Sequence, residues 1–495
     1  MPGCDTLIRN ALVVDGSGGE PLLADVALAD DRIRAVGSRL DDAADEVIDG
    51  AGYVLAPGFI DVHTHDDTDV IRAPEMLPKL SQGVTTVIVG NCGISAAPVQ
   101  LGDELPNPMN LLGDASVFRY PTFATYIAAV DAARPAVNVS ALVGHTALRN
   151  NHMDRLDRAA TKAEIEAMRR QLIEALDCGA LGLSTGLAYL SANAATIDEV
   201  LALAEPLARA SGLYTTHLRS ETEAIIDALR EAFTVGRECR VPVVVSHLKC
   251  AGIDNWGRSG EVLQELDGAR VSQPVGWDCY PYAAGSSTLD LRQVDERVGI
   301  RITWSEPYPE MGGRTLARIA QDWGIGQTDA ARRLQPAGAI YHSIFEDDMR
   351  RILRHPATMI GSDGLPNDPR PHPRLWGTFP RVLGRYSRDE KLFSLTEAVH
   401  KMTGLPAARF GFADRGLIRQ GYFADLVLFD PRTIRDTATF DNPVCPAEGI
   451  ERVWVNGVLS YRNGKPTGQR GGKFTKRSAV ITNKAFDSLQ LEEHE

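Results

Sequence analysis

The sequence predicts an α/β protein: a (β/α)8 barrel carrying a small β-sandwich domain built from both ends of the chain. Three observations predict it. Short alternating strands with polar turns occupy both termini, strands alternate with amphipathic helices through the middle, and chemically capable side chains recur where the middle strands end. The 495 residues are enough for a TIM-type barrel of about 250 residues or more plus a second unit.

The first stretch alternates apolar and polar residues. Thr6 to Val14 reads as a strand ending at the turn DGSGG. Asp25 to Leu28 and Arg32 to Val36 read as strands joined by Asp30-Asp31, and Tyr53 to Ala56 follows another glycine turn. Near the other end, Arg415 to Arg419, Ala424 to Phe429 and Val453 to Leu459, the last with Asn456-Gly457 as a turn, have the same texture. Residues 1–59 and 415–480 are therefore expected to share one β domain, with 60–414 inserted between them as the barrel. From about Lys473 the chain turns polar, and 481–495 are expected to form a tail.

Within the insert, Thr161 and Glu164 form a capping box. Ile165, Met168, Leu172 and Leu176 then recur at helical spacing, and Gly179 stops the helix. Ala180 to Leu187 is a strand. A helix starts at Thr196 with Glu199 three residues on and stops by Gly212. Tyr214 to Arg219 is a strand, Glu223 to Arg237 a helix, and Val241 to Lys249 a β-branched strand. Repeated βα units imply parallel strands, and their number favours a closed barrel. The stretch from about 286 to 337 is too long for an ordinary βα connection and is expected to cover the site as a lid.

Composition narrows the partners. A hydrophobic fraction of 44% and a charged fraction of 24% are ordinary for a globular chain. A net charge of −13 disfavours nucleic acid and anionic membranes. The N-terminus lacks the pattern of a signal peptide, and no apolar run approaches the roughly 18 residues of a membrane helix. The seven cysteines are scattered, odd in number and outside CxxC pairs, which fits a reducing cytoplasm. The sequence sets no oligomeric state.

In a βα barrel, chemistry sits at the C-terminal ends of the strands. In FIDVHTHDD, His63 and His65 are two apart and share a face of a strand. Cys92 follows an apolar strand in VIVGNCGIS, flanked by Asn91 and Gly93, where packing is an unnatural reason for a thiol. His217 and His247 end apolar strands one βα unit apart. Asp363 leaves a late strand between glycines in GSDG. Taken singly, the histidines read as polar core residues, Cys92 as a small hydrophobe and Asp363 as a turn former. Together, four histidines, a cysteine and an aspartate at barrel strand ends point to a metal site, because thiolate, imidazole and carboxylate are zinc donors.

The segment APGFIDVHTH after a small β unit, single histidines on two later strands, and SDG on the last strand resemble the metal-dependent amidohydrolase superfamily. GNCGIS, SHLKC, DCYPYAAGSST and GSDGLPNDPRPHPRLWG look like the D-aminoacylases, the N-acyl-D-amino-acid deacylases, over nearly the whole chain. Many members of the superfamily bridge two metals with a carbamylated lysine, whereas this branch uses a cysteine, and Cys92 matches it. The resemblance implies that Cys92, His217 and His247 hold a tight zinc ion and that His63, His65 and Asp363 form a second, weaker site. It implies zinc-dependent hydrolysis of an N-acyl-D-amino acid, with Asp363 as the base that takes a water proton and returns it to the leaving amine. It also places Lys249, Tyr280, Ser286 and Arg374 at the substrate carboxylate.

Lys249 lies two residues after His247 on the same face, and Arg374 could pair bidentately with a carboxylate. Tyr189, Tyr341 and Ile344 are expected pocket walls, favouring an apolar D-side chain. Arg292 is an alternative anchor for an acidic one, as in an N-acyl-D-glutamate or N-acyl-D-aspartate deacylase. Two further readings are a cyclic-amide hydrolase of the dihydropyrimidinase type, disfavoured by Cys92, and a metal-free scaffold of the same fold, disfavoured by the intact donor set.

Overall fold

Eight parallel strands wind around one axis in the computed structural model, which describes residues 3–102 and 105–476. They are β1 (Phe59–Asp61), β2 (Val84–Val89), β3 (Asn138–Ala141, continued by Val143–Gly144), β4 (Gly182–Gly186), β5 (Leu213–His217), β6 (Val243–Val245), β7 (Val275–Cys279) and β8 (Thr358–Ile360). β1, β2 and β3 pair in order, and the continuation of β3 pairs with β4, which leads through β5, β6 and β7 to β8. The ring closes just beyond the strand ends. Thr64 bridges Gly364, and the Asp363 amide donates to the His63 carbonyl at 2.7 Å.

The helices between strands form for the local reasons legible in the sequence. Thr161 caps Lys162–Cys178 reciprocally with Glu164, and Gly179 ends it in the left-handed conformation. Thr196 caps Ile197–Arg209. Met168, Leu172 and Leu176 bury one face of the first of these helices in the main core. The strand expected over Val241 to Lys249 is short: its ladder ends at Val245 because the backbone turns there, with His247 at φ 37°.

Strands from both ends of the chain share one sheet of nine. Val54–Pro57 joins them, pairing parallel with Cys4–Val13 and antiparallel with Leu426–Phe429. Ile450–Val455 and Val458–Arg462 form a hairpin about Asn456-Gly457, both at positive φ, as a two-residue turn of this type requires. One expectation fails here. Arg415 to Arg419 forms no strand, because Arg415 is buried and spends its guanidinium on Asp425 and Asn456. Residues 473–475, where the chain turns polar, pack on the barrel. Val139 and residues 473–475 exchange backbone hydrogen bonds, and Phe474 packs edge-on against Phe123. The tail expected at 481–495 lies outside the described residues.

The long connection after β7 has its own structure. Gly285–Thr288, Ile300–Ser305 and Ala337–Tyr341 form a three-stranded antiparallel sheet, and helices Leu316–Trp323 and Gln327–Leu334 pack on it around a separate apolar core.

Candidate active site

The six donors expected at the strand ends converge. His63, His65, Cys92 and Asp363 form one group of mutually close ligand atoms, and Cys92, His217 and His247 form another, so Cys92 belongs to both. The Cys92 Sγ lies 3.1 Å from His63 Nε2 and 3.3 Å from His247 Nε2. His247 Nε2 is 3.1 Å from His217 Nδ1, and His65 Nε2 is 3.2 Å from Asp363 Oδ1. His63 and His65 stand just past β1 rather than on it, since the strand ends at Asp61. Three of the six, Cys92, His247 and Asp363, sit at φ 54°, 37° and 50°. Such left-handed positions cost about 1–3 kcal/mol each for a residue with a Cβ and concentrate at functional sites.

The charges fit a divalent ion. Burial by itself would raise the Cys92 thiol, but His63 and His247 outweigh it and hold it well below its usual value. Burial would likewise raise Asp363, and Arg374, His63 and His65 hold it well below the carboxylate range. Asp278 and Glu221 add two acids, against the cations Lys249 and Arg374. With neutral imidazoles the four acids exceed the two bases by two negative charges in a buried site. Burial pulls His65 and His247 down, yet Asp363 and Cys92, respectively, help push each up to about 9. Those protons leave when a metal binds. One thiolate, four imidazoles and a carboxylate are a donor set for zinc.

A cavity of about 720 Å³ opens over these ligands. His65, His217, His247 and Asp363 line it, as do Lys249, Tyr280, Ser286, Tyr189, Tyr341, Ile344 and Arg292. The Tyr280 hydroxyl and the Ser286 Oγ are buried there without a hydrogen-bond partner. Tyr189 meets the His217 ring edge-on at 4.9 Å. Tyr341 is fixed by its own hydroxyl, which donates to the Thr288 carbonyl and accepts from the Asp290 amide.

Arg374 adjoins two residues that line the cavity, Ser286 and Asp363. It is buried, with its NH1 nitrogen 2.8 Å from Asp363 Oδ2, its NH2 donating to the Ser286 carbonyl, and its Nε without an acceptor. The alternative anchor Arg292 is held bidentately by Asp290 and also donates to the Ala188 carbonyl.

Sequence reasoning missed three participants. Asp278 is the penultimate residue of β7, with Oδ2 3.2 Å from His63 Nδ1 and Oδ1 accepting from the His247 amide; its place two residues before Tyr280 near a strand end was the available signal. Glu221 contacts His247 and Lys249, four residues after His217. Lys79 lies buried between Asp61 and Asp66, and nothing in its helical context marks it.

A parallel barrel with metal-type donors at its C-terminal mouth defines a metal-dependent hydrolase class. The chain matches the amidohydrolase family model over residues 46–265 and 269–461. It is 49% identical to a D-aminoacylase of Alcaligenes xylosoxydans xylosoxydans, over 96% of this chain and 98% of that one. It is 45% identical to an N-acyl-D-glutamate deacylase of the same organism, over 96% and 97%. The crystal structure of D-aminoacylase superposes with a TM-score of 0.94 at 49% identity, covering 96% of this chain and all of that one. The chain therefore belongs to the amidohydrolase family, in the group of the D-aminoacylases and N-acyl-D-amino-acid deacylases.

Proposed function

We propose that this chain is a zinc-dependent N-acyl-D-amino-acid deacylase that hydrolyses the amide bond to release a carboxylate and a D-amino acid with an apolar side chain. The observation that carries this reading is the meeting of Cys92, His217, His247, His63, His65 and Asp363 in two groups that share Cys92, with His65, His217, His247 and Asp363 lining one cavity. A bound zinc ion would polarise the amide carbonyl and acidify a water molecule. Cys92, His217 and His247 are assigned to the tight ion, with His63, His65 and Asp363 as the second site. Asp363 is assigned as the group that takes the water proton and delivers it to the leaving amine. The unpartnered Tyr280 and Ser286 hydroxyls and the Lys249 ammonium receive the substrate carboxylate, with the Arg374 Nε completing the set.

The side-chain preference rests on the cavity wall, because relatives with different substrates are similarly close. Ile253, Val298, Tyr341 and Ile344 supply apolar surface. Arg292, the anchor that an acidic side chain would need, is already neutralised by Asp290. Asp254 and Asp295, which also line the cavity, are both paired with Arg297, so among the described residues this wall offers an acidic side chain no free cation beyond Lys249. The seven free cysteines support a reducing compartment such as the cytoplasm. Among the described residues no helix is long and apolar enough to cross a membrane.

The test is a rate survey on zinc-loaded protein. N-Acetyl-D-leucine and N-acetyl-D-methionine should be cleaved with kcat/KM well above N-acetyl-D-glutamate, with the L-enantiomers, hydantoin and dihydrouracil inert. Cys92→Ala should lose both zinc and turnover. Faster turnover of a cyclic amide, or a purified protein lacking zinc and amidase activity, would refute the reading.

A further inference from the structure

We propose that Glu221 is a positioning residue that orients both histidines of the tight metal site through the ring nitrogens facing away from the metal. The proposal rests on the assignment of Cys92, His217 and His247 to that site. His247 turns Nε2 and His217 turns Nδ1 toward the ligand cluster, 3.1 Å from one another. Their other nitrogens both face one carboxylate: His247 Nδ1 is 3.0 Å from Glu221 Oε1, and His217 Nε2 is 3.6 Å from Glu221 Oε2. An imidazole that ligates a metal through one nitrogen carries its proton on the other, and an acceptor there fixes both tautomer and ring angle. Lys249 cannot fill that role. Its Nζ lies 2.8 Å from His247 Nδ1, but an ammonium only donates. With the ring proton directed at Glu221, Lys249 keeps its bonds to Glu221 Oε1 and to the His247 carbonyl, which aim it along the cavity wall.

The other group of ligands is less supported. His63 Nδ1 is met by Asp278, whereas His65 Nδ1 is buried without a hydrogen-bond partner. A carboxylate 3.0 Å from one imidazole and 3.6 Å from the other on one side, against an imidazole without a partner on the other, makes the Cys92–His217–His247 site the tighter of the two. The signal in the sequence is small: a glutamate four residues after a strand-end histidine, in HLRSE.

The experiment is a zinc titration of the full-length protein, stripped by chelator, against a chromophoric competitor. Glu221→Gln keeps the shape and removes the charge, and it should weaken the tighter zinc by about 10–100-fold, the usual effect of losing such a partner. Glu221→Asp keeps the charge with a shorter reach and should fall between. Glu223→Gln removes the same charge from the same loop and should bind zinc as the parent does. Saturating zinc should return most of kcat to Glu221→Gln, which a general defect in folding would not allow. Unchanged zinc affinity in Glu221→Gln, or equal weakening in Glu223→Gln, overturns the proposal. A parent protein that holds no zinc, or a Cys92→Ala variant that holds it normally, would instead sink the assignment of the site itself.

Discussion

Replacing Lys79 with methionine removes an ammonium wholly buried between two carboxylates. Its Nζ lies 2.8 Å from Asp61 and 3.1 Å from Asp66, and it donates to Ser362 Oγ at 3.0 Å. The same Asp61 accepts from the Ser362 amide at 2.8 Å, so this cluster ties the end of β1 to the end of β8, where no extended ladder does. Breaking a buried ion pair from one side costs about 3–5 kcal/mol. Burial already pushes the Asp66 carboxyl up against the pull of Lys79. Without Lys79, one carboxyl must take a proton, and protonating a group of ordinary pKa near 4 at pH 7 costs about 4 kcal/mol. The folded variant then binds more protons than its unfolded form, so its stability rises as the pH falls, by about 1.4 kcal/mol per unit. Its deficit against the parent should shrink from about 4 kcal/mol at pH 7 to about 1.2 kcal/mol at pH 5. Urea unfolding of both proteins in excess chelator, which removes the metal's own contribution, measures this. A variant as stable as the parent at pH 7, or a deficit that widens toward pH 5, refutes the argument.

Asp363→Asn should keep a full complement of the tighter zinc and lose at least about 100-fold in kcat on N-acetyl-D-methionine, the usual scale for losing a proton-transfer group; elemental analysis beside the assay checks both. A Cβ on Gly186 would fall 2.1 Å from the Cys92 carbonyl oxygen and 2.7 Å from the Tyr189 ring, so Gly186→Ala should displace the Cys92 loop and weaken zinc binding, read by the same competitor titration. Glu199→Gln should cost about 3–5 kcal/mol at pH 7 by leaving the buried Arg149 unpaired beside His145, measured by urea unfolding. Burial would raise Glu199, but His145 and Arg149 lower it to about 2. Its contribution is therefore complete above the unfolded value near 4.5 and is lost as pH falls through 2, and the gap between parent and variant should close over that window.

Much of this protein was legible in the chain because local interactions write themselves into short stretches. Thr161 with Glu164 and Thr196 with Glu199 marked helix starts that the structure keeps. Asn456-Gly457 marked its hairpin, since few residues other than these tolerate the left-handed turn. Donor residues at successive strand ends predicted the ligand cluster, because every parallel barrel brings those ends to one mouth. The Arg415 to Arg419 stretch misled for the converse reason: its alternation looked like a strand, while a tertiary ion pair with Asp425 decided its shape.

By itself the sequence determined the element types, the barrel, the shared terminal sheet and the chemical kinds gathered at the site. Only the tertiary structure decided that Cys92 belongs to both groups of ligands, that Arg374 pairs with Asp363, and that one glutamate faces two imidazoles. Ring closure sets those contacts. It joins residues as distant in the chain as Asp61 and Ser362, and no period or spacing along the chain encodes which side chains then come within 3 Å of one another.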